Sequence, residues 1–327
     1  MIKQKQIDIL AKIIQREYDI YAPKQEAEEL FVSKIENIKN IDYFGKIPLN
    51  SWEYLFFPPC EKMFHYEKNS FQEAKVDYPK VCGFNMTVLD LKALGLYDLV
   101  FKDDVNYLKR RRNTLVVGYF AKSPSIKNYQ DYSNFALDFY ENTLEHIPFD
   151  IFIEQTKTGN FKIYSGSYKG QDILEKAKIK EYQNVKFAGL IPEEGSDKRM
   201  LELYNLIKNS KDHKLWAELD KICIACGKCS QVCPTCFCFD FEDIPENNSI
   251  ARQRVWGNCF YPEFTATAGG ENYTKSIKNK LRFWYEHKFV RIPHEYKIPG
   301  CVGCNRCSNV CPVLININKN LNELKKK

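Results

Sequence analysis

Eleven of the thirteen cysteines in this chain fall between Cys223 and Cys311. Cys223, Cys226, Cys229 and Cys233 follow a C-x2-C-x2-C-x3-C-P spacing, and Cys301, Cys304, Cys307 and Cys311 repeat it, each run closing on a proline. Modules that hold two [4Fe–4S] cubanes use this spacing: three thiolates of a run hold one cluster and the fourth crosses to its twin. The expected ligand sets are therefore Cys223, Cys226 and Cys229 with Cys311, and Cys301, Cys304 and Cys307 with Cys233. Zinc also takes C-x2-C pairs, but a tetrahedral ion uses two of them and leaves the third close cysteine and the Cys-Pro idle. Small residues between the ligands, Ala225 and Gly227 in one run and Gly303 in the other, let the backbone fold tightly around a cubane and aim amides at its sulfides.

Cys236, Cys238 and Cys259 are left over from that count. In an extended segment residues i and i+2 share a face, so Cys236 and Cys238 present their sulfurs together, with Phe237 and Phe239 opposite. A third [4Fe–4S] cluster on these three needs a fourth ligand, and only Cys60 and Cys82 precede residue 223. The competing reading is that the three are small, inert residues packed beneath the clusters. Disulfides are the other use of many cysteines, but they belong to exported proteins. The first segment here reads as an amphipathic helix, with Ile7, Ile9, Leu10, Ile13 and Ile14 among lysines, and not as a leader peptide. A soluble, cytoplasmic protein with reduced thiols is expected, and no run approaches the roughly 18 apolar residues of a membrane span.

The elements that must position these thiols can be read more coarsely. A chain of 327 residues with 44% hydrophobic and 28% charged residues has room for two domains, and the cysteine distribution puts the division near residue 215. In the first part, KVCGF and TLVVGYF read as strands around the helical TVLDLKALGLYDLVF, and IFIEQT and FKIYS flank a turn at Lys157–Asn160 that favours a hairpin. DKRMLELYNLIKNSKDHKLWAELDK reads as a helix or helix pair that leads into the cysteines. The expectation is an α/β or α+β partner-binding domain over 1–214, then a mainly α, two-cluster ferredoxin-like domain over 215–327.

Other chemistries have less support. No G-x-G-x-x-G follows a strand and no G-x-x-x-x-G-K-[ST] occurs, so flavin or nicotinamide chemistry belongs on another chain. The five histidines are scattered without ligand spacing. A formal charge of +6 invites nucleic acid, but residues 216–327 hold 16 Lys and Arg against 11 Asp and Glu with all cysteines counted neutral. Two clusters with their thiolates add about −4, which brings that region close to neutrality. Arg252, Arg254 and Trp256 are read as structural in the first instance, with partner contact or offset of cluster charge as the alternatives.

The run LWAELDKICIACGKCSQVCPTCFCFDFEDI, with RQRVWGNCFYPEFTATAGG, KLRFWYEHKF and CVGCNRCSNVCP, resembles the iron–sulfur electron-carrier subunit of anaerobic sulfite reductases and, slightly less, the beta subunit of soluble sulfhydrogenases. Ala268-Gly269-Gly270 leans towards the first of these. The likeness is specific from Leu215 to Leu314 and thinner upstream, where LFFPP, LDLKALGLYDLVF and NTLVVGY are similar to the family's first domain. The family usually carries a cysteine in an R-x-C-D motif before that helix. The stretch GFNMTVLDLKAL here has none, which leaves Cys82 as the stand-in for a fourth ligand. The resemblance implies an iron–sulfur subunit without a substrate site. It would relay electrons from an FAD-bearing, NADH-oxidising partner to a siroheme catalytic partner or, as the alternative, serve a nickel–iron hydrogenase or another flavin-linked reductase. A cluster-bearing sensor is the reading from a different class.

Overall fold

The computed structural model describes residues 2–43, 47–121, 141–191, 198–247 and 249–326. Its larger sheet has seven strands: β1 (Asp19–Glu26), β2 (Glu29–Lys34), β5 (Val81–Met86), β6 (Thr114–Ala121), β7 (Ile151–Gln155), β8 (Phe161–Ser165) and β9 (Gln183–Asn184). They lie side by side in the order β2-β1-β5-β6-β7-β8-β9. β1, β5, β6 and β7 run parallel, while β2 and β8 return antiparallel on β1 and β7. The central strands are apolar because both faces are covered. Helices Gln4–Gln15 and Tyr168–Lys176 bury Ile7, Leu10, Ile14, Ile173 and Leu174 on one side. Helix Val88–Val100 puts Leu91 and Leu94 against Val116 and Phe152 on the other. That helix starts on a capping box in which the Thr87 hydroxyl accepts from Asp90 N and the Asp90 carboxylate accepts from Thr87 N. The hairpin expected around Lys157–Asn160 is β7–β8, with Gly159 at φ 77° in its turn.

A second sheet joins distant parts of the chain. Its strands are β3 (Cys60–Glu67), which begins directly after Pro59, β4 (Ser70–Glu73), β10 (Phe239–Glu246) and β11 (Ser249–Trp256). They lie in the order β10-β11-β3-β4. β3 pairs antiparallel with β11, so two strands come from either side of the division expected at residue 215. Arg254 fastens this sheet from within. It lies 2.7 Å from Glu61 Oε2 and also pairs with Asp104, while its guanidinium lies over Phe57, Phe101 and Phe239. Trp256 Nε1 donates to Phe57 O, and Arg252 pairs with exposed Asp243, so all three residues of the RQRVW stretch have structural partners.

The remaining body is helical. Helices Lys198–Lys208, Leu215–Ile222, Ile277–Glu286 and Ile317–Leu324 enclose a core of Trp216, Leu281, Tyr285, Phe289 and Leu321. The expected long helical segment before the cysteines is thus a pair, broken at Ser210, whose carbonyl accepts from Trp216 Nε1 at 2.6 Å. Helix Ile277–Glu286 continues into a π turn at His287–Arg291 before Ile292–Tyr296. Among the described residues no helix is long and apolar enough to cross a membrane.

Candidate metal centres

Both cysteine runs take up one backbone shape. Each has a left-handed residue before its second cysteine, Ala225 (φ 52°) or Gly303 (φ 75°), and another after it, Gly227 (φ 73°) or Asn305 (φ 60°). A short helix comes next, Lys228–Gln231 in one run and Arg306–Asn309 in the other. The left-handed pair folds the chain back on itself, so that the three thiols of a run face one space. Gly227 is needed twice over: its φ disfavours a side chain, and a Cβ there would lie 2.2 Å from Asn258 Nδ2, which donates to Gly227 O.

The thiols gather in two groups. One cavity is lined by Cys223, Cys226, Cys229, Cys307 and Cys311, with walls of Phe260, Leu281, Trp284 and Tyr285. The neighbouring cavity is lined by Cys233, Cys301, Cys304 and Cys307, with Trp284 and Lys288. The fourth cysteine of each run therefore lies with the first three of the other, and Cys307 borders both spaces. Among the described residues no three His, Cys, Asp or Glu close on a point that would hold one metal ion. A cubane binds each thiolate at a different iron, so its ligands surround a cage and need not meet at a point.

Burial and nearby hydrogen-bond donors act in opposite directions on these thiols. Burial pushes the thiols of Cys223, Cys229 and Cys307 up, and that of Cys301 up to about 12. Iron bound at Cys223, Cys229, Cys301 and Cys307 would supply the charge that holds such thiols as thiolates. Backbone amides add to this: Ala225 N lies 3.5 Å from Cys223 Sγ and Ile315 N lies 3.3 Å from Cys311 Sγ. Cys233 is the exception and is held well below the ordinary thiol range, first by a hydrogen bond with Cys236 and then by Lys288. Lys288 Nζ lies 3.0 Å from Cys233 Sγ and 3.0 Å from Thr235 Oγ1.

The two groups differ in cover. Ile224, after the first cysteine of its run, is 60% exposed, whereas its counterpart Val302 is 8% exposed and packs with Leu89, Ala93 and Cys304. Helix Val88–Val100 thus shields the second group. It is fastened there by an Asp90–Arg306 ion pair of 2.8 Å, and Arg306 Nε donates to Pro48 O.

The surplus cysteines lie beside this centre. Cys236 neighbours Cys233 and Cys238 neighbours Cys259, and in each pair the closeness of the partner, with burial, raises the first-named thiol. Cys259 Sγ lies 3.7 Å from Ser230 Oγ. Tyr97 brings the first part of the chain to them, donating its hydroxyl to Cys236 O. Beside it is Glu53, buried, with a carboxyl held well above the usual range by burial and then by Cys233. The structure does not bring Cys82 there. Its side chain is fully buried in the large-sheet core with Ile20, Leu115 and Ile151, where its charged neighbours are Asp150 and Lys169. Cys60 donates to Gln253 Oε1 at 2.9 Å on the second sheet. β5 is buried on both faces, and Cys82 lies on the face covered by helices Gln4–Gln15 and Tyr168–Lys176, among the residues of that core. Glu53, Lys288 and the Asp90–Arg306 pair escaped sequence reading because a charged residue is ordinarily solvent-facing.

Residues 222–315 match the 4Fe-4S dicluster domain family. The chain is a two-cluster iron–sulfur protein. It is also similar to the sulfhydrogenase 2 subunit beta of Pyrococcus furiosus, 26% identical over 291 residues, which are 83% of this chain and 81% of the relative. No solved structure matches the chain. The likeness extends well upstream of the dicluster domain, so it covers the shared second sheet and most of the large one. It points towards the sulfhydrogenase side of the expected resemblance. Ala268-Gly269-Gly270, which leaned towards sulfite reductase, lies in an exposed turn closed by Gly270 N to Thr267 O and Thr267 N to Glu271 O.

Proposed function

We propose that this chain is the electron-transfer subunit of a soluble, flavin-linked oxidoreductase complex of the sulfhydrogenase kind. It would pass single electrons through two cubanes, one on Cys223, Cys226, Cys229 and Cys311 and the other on Cys301, Cys304, Cys307 and Cys233. The observation that supports this most directly is the exchange of fourth cysteines, with Cys307 in the common wall. Neighbouring clusters in an apolar, partly shielded setting exchange electrons and offer no substrate site. A flavoprotein that oxidises NADH would supply the electrons and a catalytic metal subunit would consume them. The sulfite reductase assignment, with a siroheme partner, keeps the same ligands and rests on the motif resemblance alone.

Iron and acid-labile sulfide of the anaerobically purified protein test the cluster assignment, and about eight irons per chain are expected for two cubanes. Reduction by NADH only after a flavoprotein partner is added is the expected carrier behaviour. A protein with about eight irons that accepts no electrons from any such partner would be a sensor instead. One observation favours a second reading of the cofactor count: Cys238 is the neighbour of both Cys259 and Cys236, with the buried carboxyl of Glu53 close by. About twelve irons would establish that third centre, with Cys236, Cys238 and Cys259 among its ligands.

A further inference from the structure

We propose that Lys288 is a fixed, buried cation that sets the cubane of Cys233, Cys301, Cys304 and Cys307 at a higher reduction potential than its twin. The inference rests on the two-cluster reading and adds a division of labour to it. The repeated motif is an internal control, because spacing and left-handed backbone positions agree between the two runs. Besides the difference in cover, the two runs differ in the group that faces the crossing cysteine. Cys311 Sγ receives a backbone amide, Ile315 N, at 3.3 Å, whereas Cys233 Sγ receives an ammonium at 3.0 Å and lies 3.2 Å from the Thr235 hydroxyl.

Lys288 is 1% exposed and borders the second cavity, with its Nζ 5.3 Å from the Trp284 ring centre. It belongs to the π turn His287–Arg291. A π turn inserts one residue into a helix and rotates the residues after it, a device found mostly at functional sites. Among the described residues Lys288 has no carboxylate within ion-pair distance, and its Nζ donates to Cys233 Sγ and Thr235 Oγ1. The other cation on this side, Arg306, is already matched by Asp90. In the first run the corresponding residue, Lys228, is exposed and screened by solvent.

One-electron reduction adds one negative charge to a cluster. A buried positive charge at hydrogen-bond distance from a ligand sulfur stabilises the reduced form more than the oxidised one, and the low-dielectric wall keeps that difference from being screened. The lysine therefore makes the second cubane the resting place of the first electron.

The test is an anaerobic dithionite titration of the full-length protein monitored by electron paramagnetic resonance, in the wild type, Lys288→Met and Lys288→Arg. A Cys311→Ser variant identifies the twin's signal. At the wild-type midpoint of the second cluster, Lys288→Met should lower its reduced-to-oxidised ratio at least tenfold, equivalent to 59 mV for one electron. The twin should be unmoved, and Lys288→Arg should restore most of the ratio. Unchanged midpoints, or equal shifts in both clusters, would overturn the proposal. So would loss of iron in Lys288→Met with normal iron in Lys288→Arg, which would make the lysine a counter-charge for assembly. A wild type without two cluster signals would instead defeat the two-cluster reading beneath it.

Discussion

Replacing Asp90 by asparagine should loosen the attachment of the second cysteine run to the first part of the chain. Asp90 and Arg306 are each 1% exposed and lie 2.8 Å apart, so solvent screening does not dilute the pair. Asparagine preserves size and can still accept from Thr87, so the capping box survives and the change is confined to the charge. Arg306 then keeps its Nε bond to Pro48 O and its place beside Cys304 but loses its buried carboxylate partner. Breaking such a pair from one side destabilises by about 3–5 kcal/mol, whereas replacing both partners by apolar groups is close to neutral. With a urea dependence of about 3 kcal/mol per molar, the unfolding midpoint should fall by roughly 1 M or more. Tryptophan fluorescence under anaerobic urea titration measures this, since Trp216 and Trp284 lie in the helical body. The double variant Asp90→Asn with Arg306→Met should recover most of the loss. A single variant within about 0.3 M of wild type, or a double variant no better than the single one, would show that the pair does not hold the two parts together.

Two further outcomes rest on the placement of the thiols and of one histidine. Cys82→Ala should leave iron content unchanged, because Cys82 sits in the sheet core, while Cys311→Ser should alter the signal of the cluster on the first run; iron analysis and spin resonance decide both. His287 lies between the rings of Phe237 and Phe283, and burial lowers its pKa to about 4. Its unfolded value is about 6.5, so between these limits the unfolded chain binds the extra proton and stability falls as pH drops from about 6.5 towards 4. Unfolding midpoints measured at pH 7 and pH 5 should show a smaller difference in His287→Phe than in wild type, and equal differences would refute the assignment.

Much of this was legible in residue types and short spacings. The two cysteine runs repeat a local backbone shape, and local shape depends on neighbours in sequence, so the gathering of each triad followed from Cys-x2-Cys and small residues such as Ala225, Gly227 and Gly303. The strands at KVCGF and TLVVGYF and the helix within TVLDLKALGLYDLVF were readable for the same reason, from an apolar run and from leucines at helical spacing, while the Thr87–Asp90 cap at the start of that helix emerged from the structure. The placing of Cys82 was not legible. A buried strand turns its side chains into the two cores on either side of the sheet, and which core receives Cys82 depends on helices at residues 4–15 and 168–176.

By itself, then, the amino-acid sequence determined the chemistry: cysteine thiolates in ferredoxin-like spacing, sufficient for two cubanes, and no local motif for a flavin or a nucleotide. Tertiary structure decided how that chemistry is housed. It joined β3 to β11 across nearly 200 residues, set Arg306 against Asp90, and turned Lys288 inward to meet Cys233. Each of these depends on long-range closure, where burial makes a charge strong and only a partner from a remote segment makes that burial tolerable. A lysine in a helical stretch reads as solvated until a π turn and a cavity of thiols show that it is not.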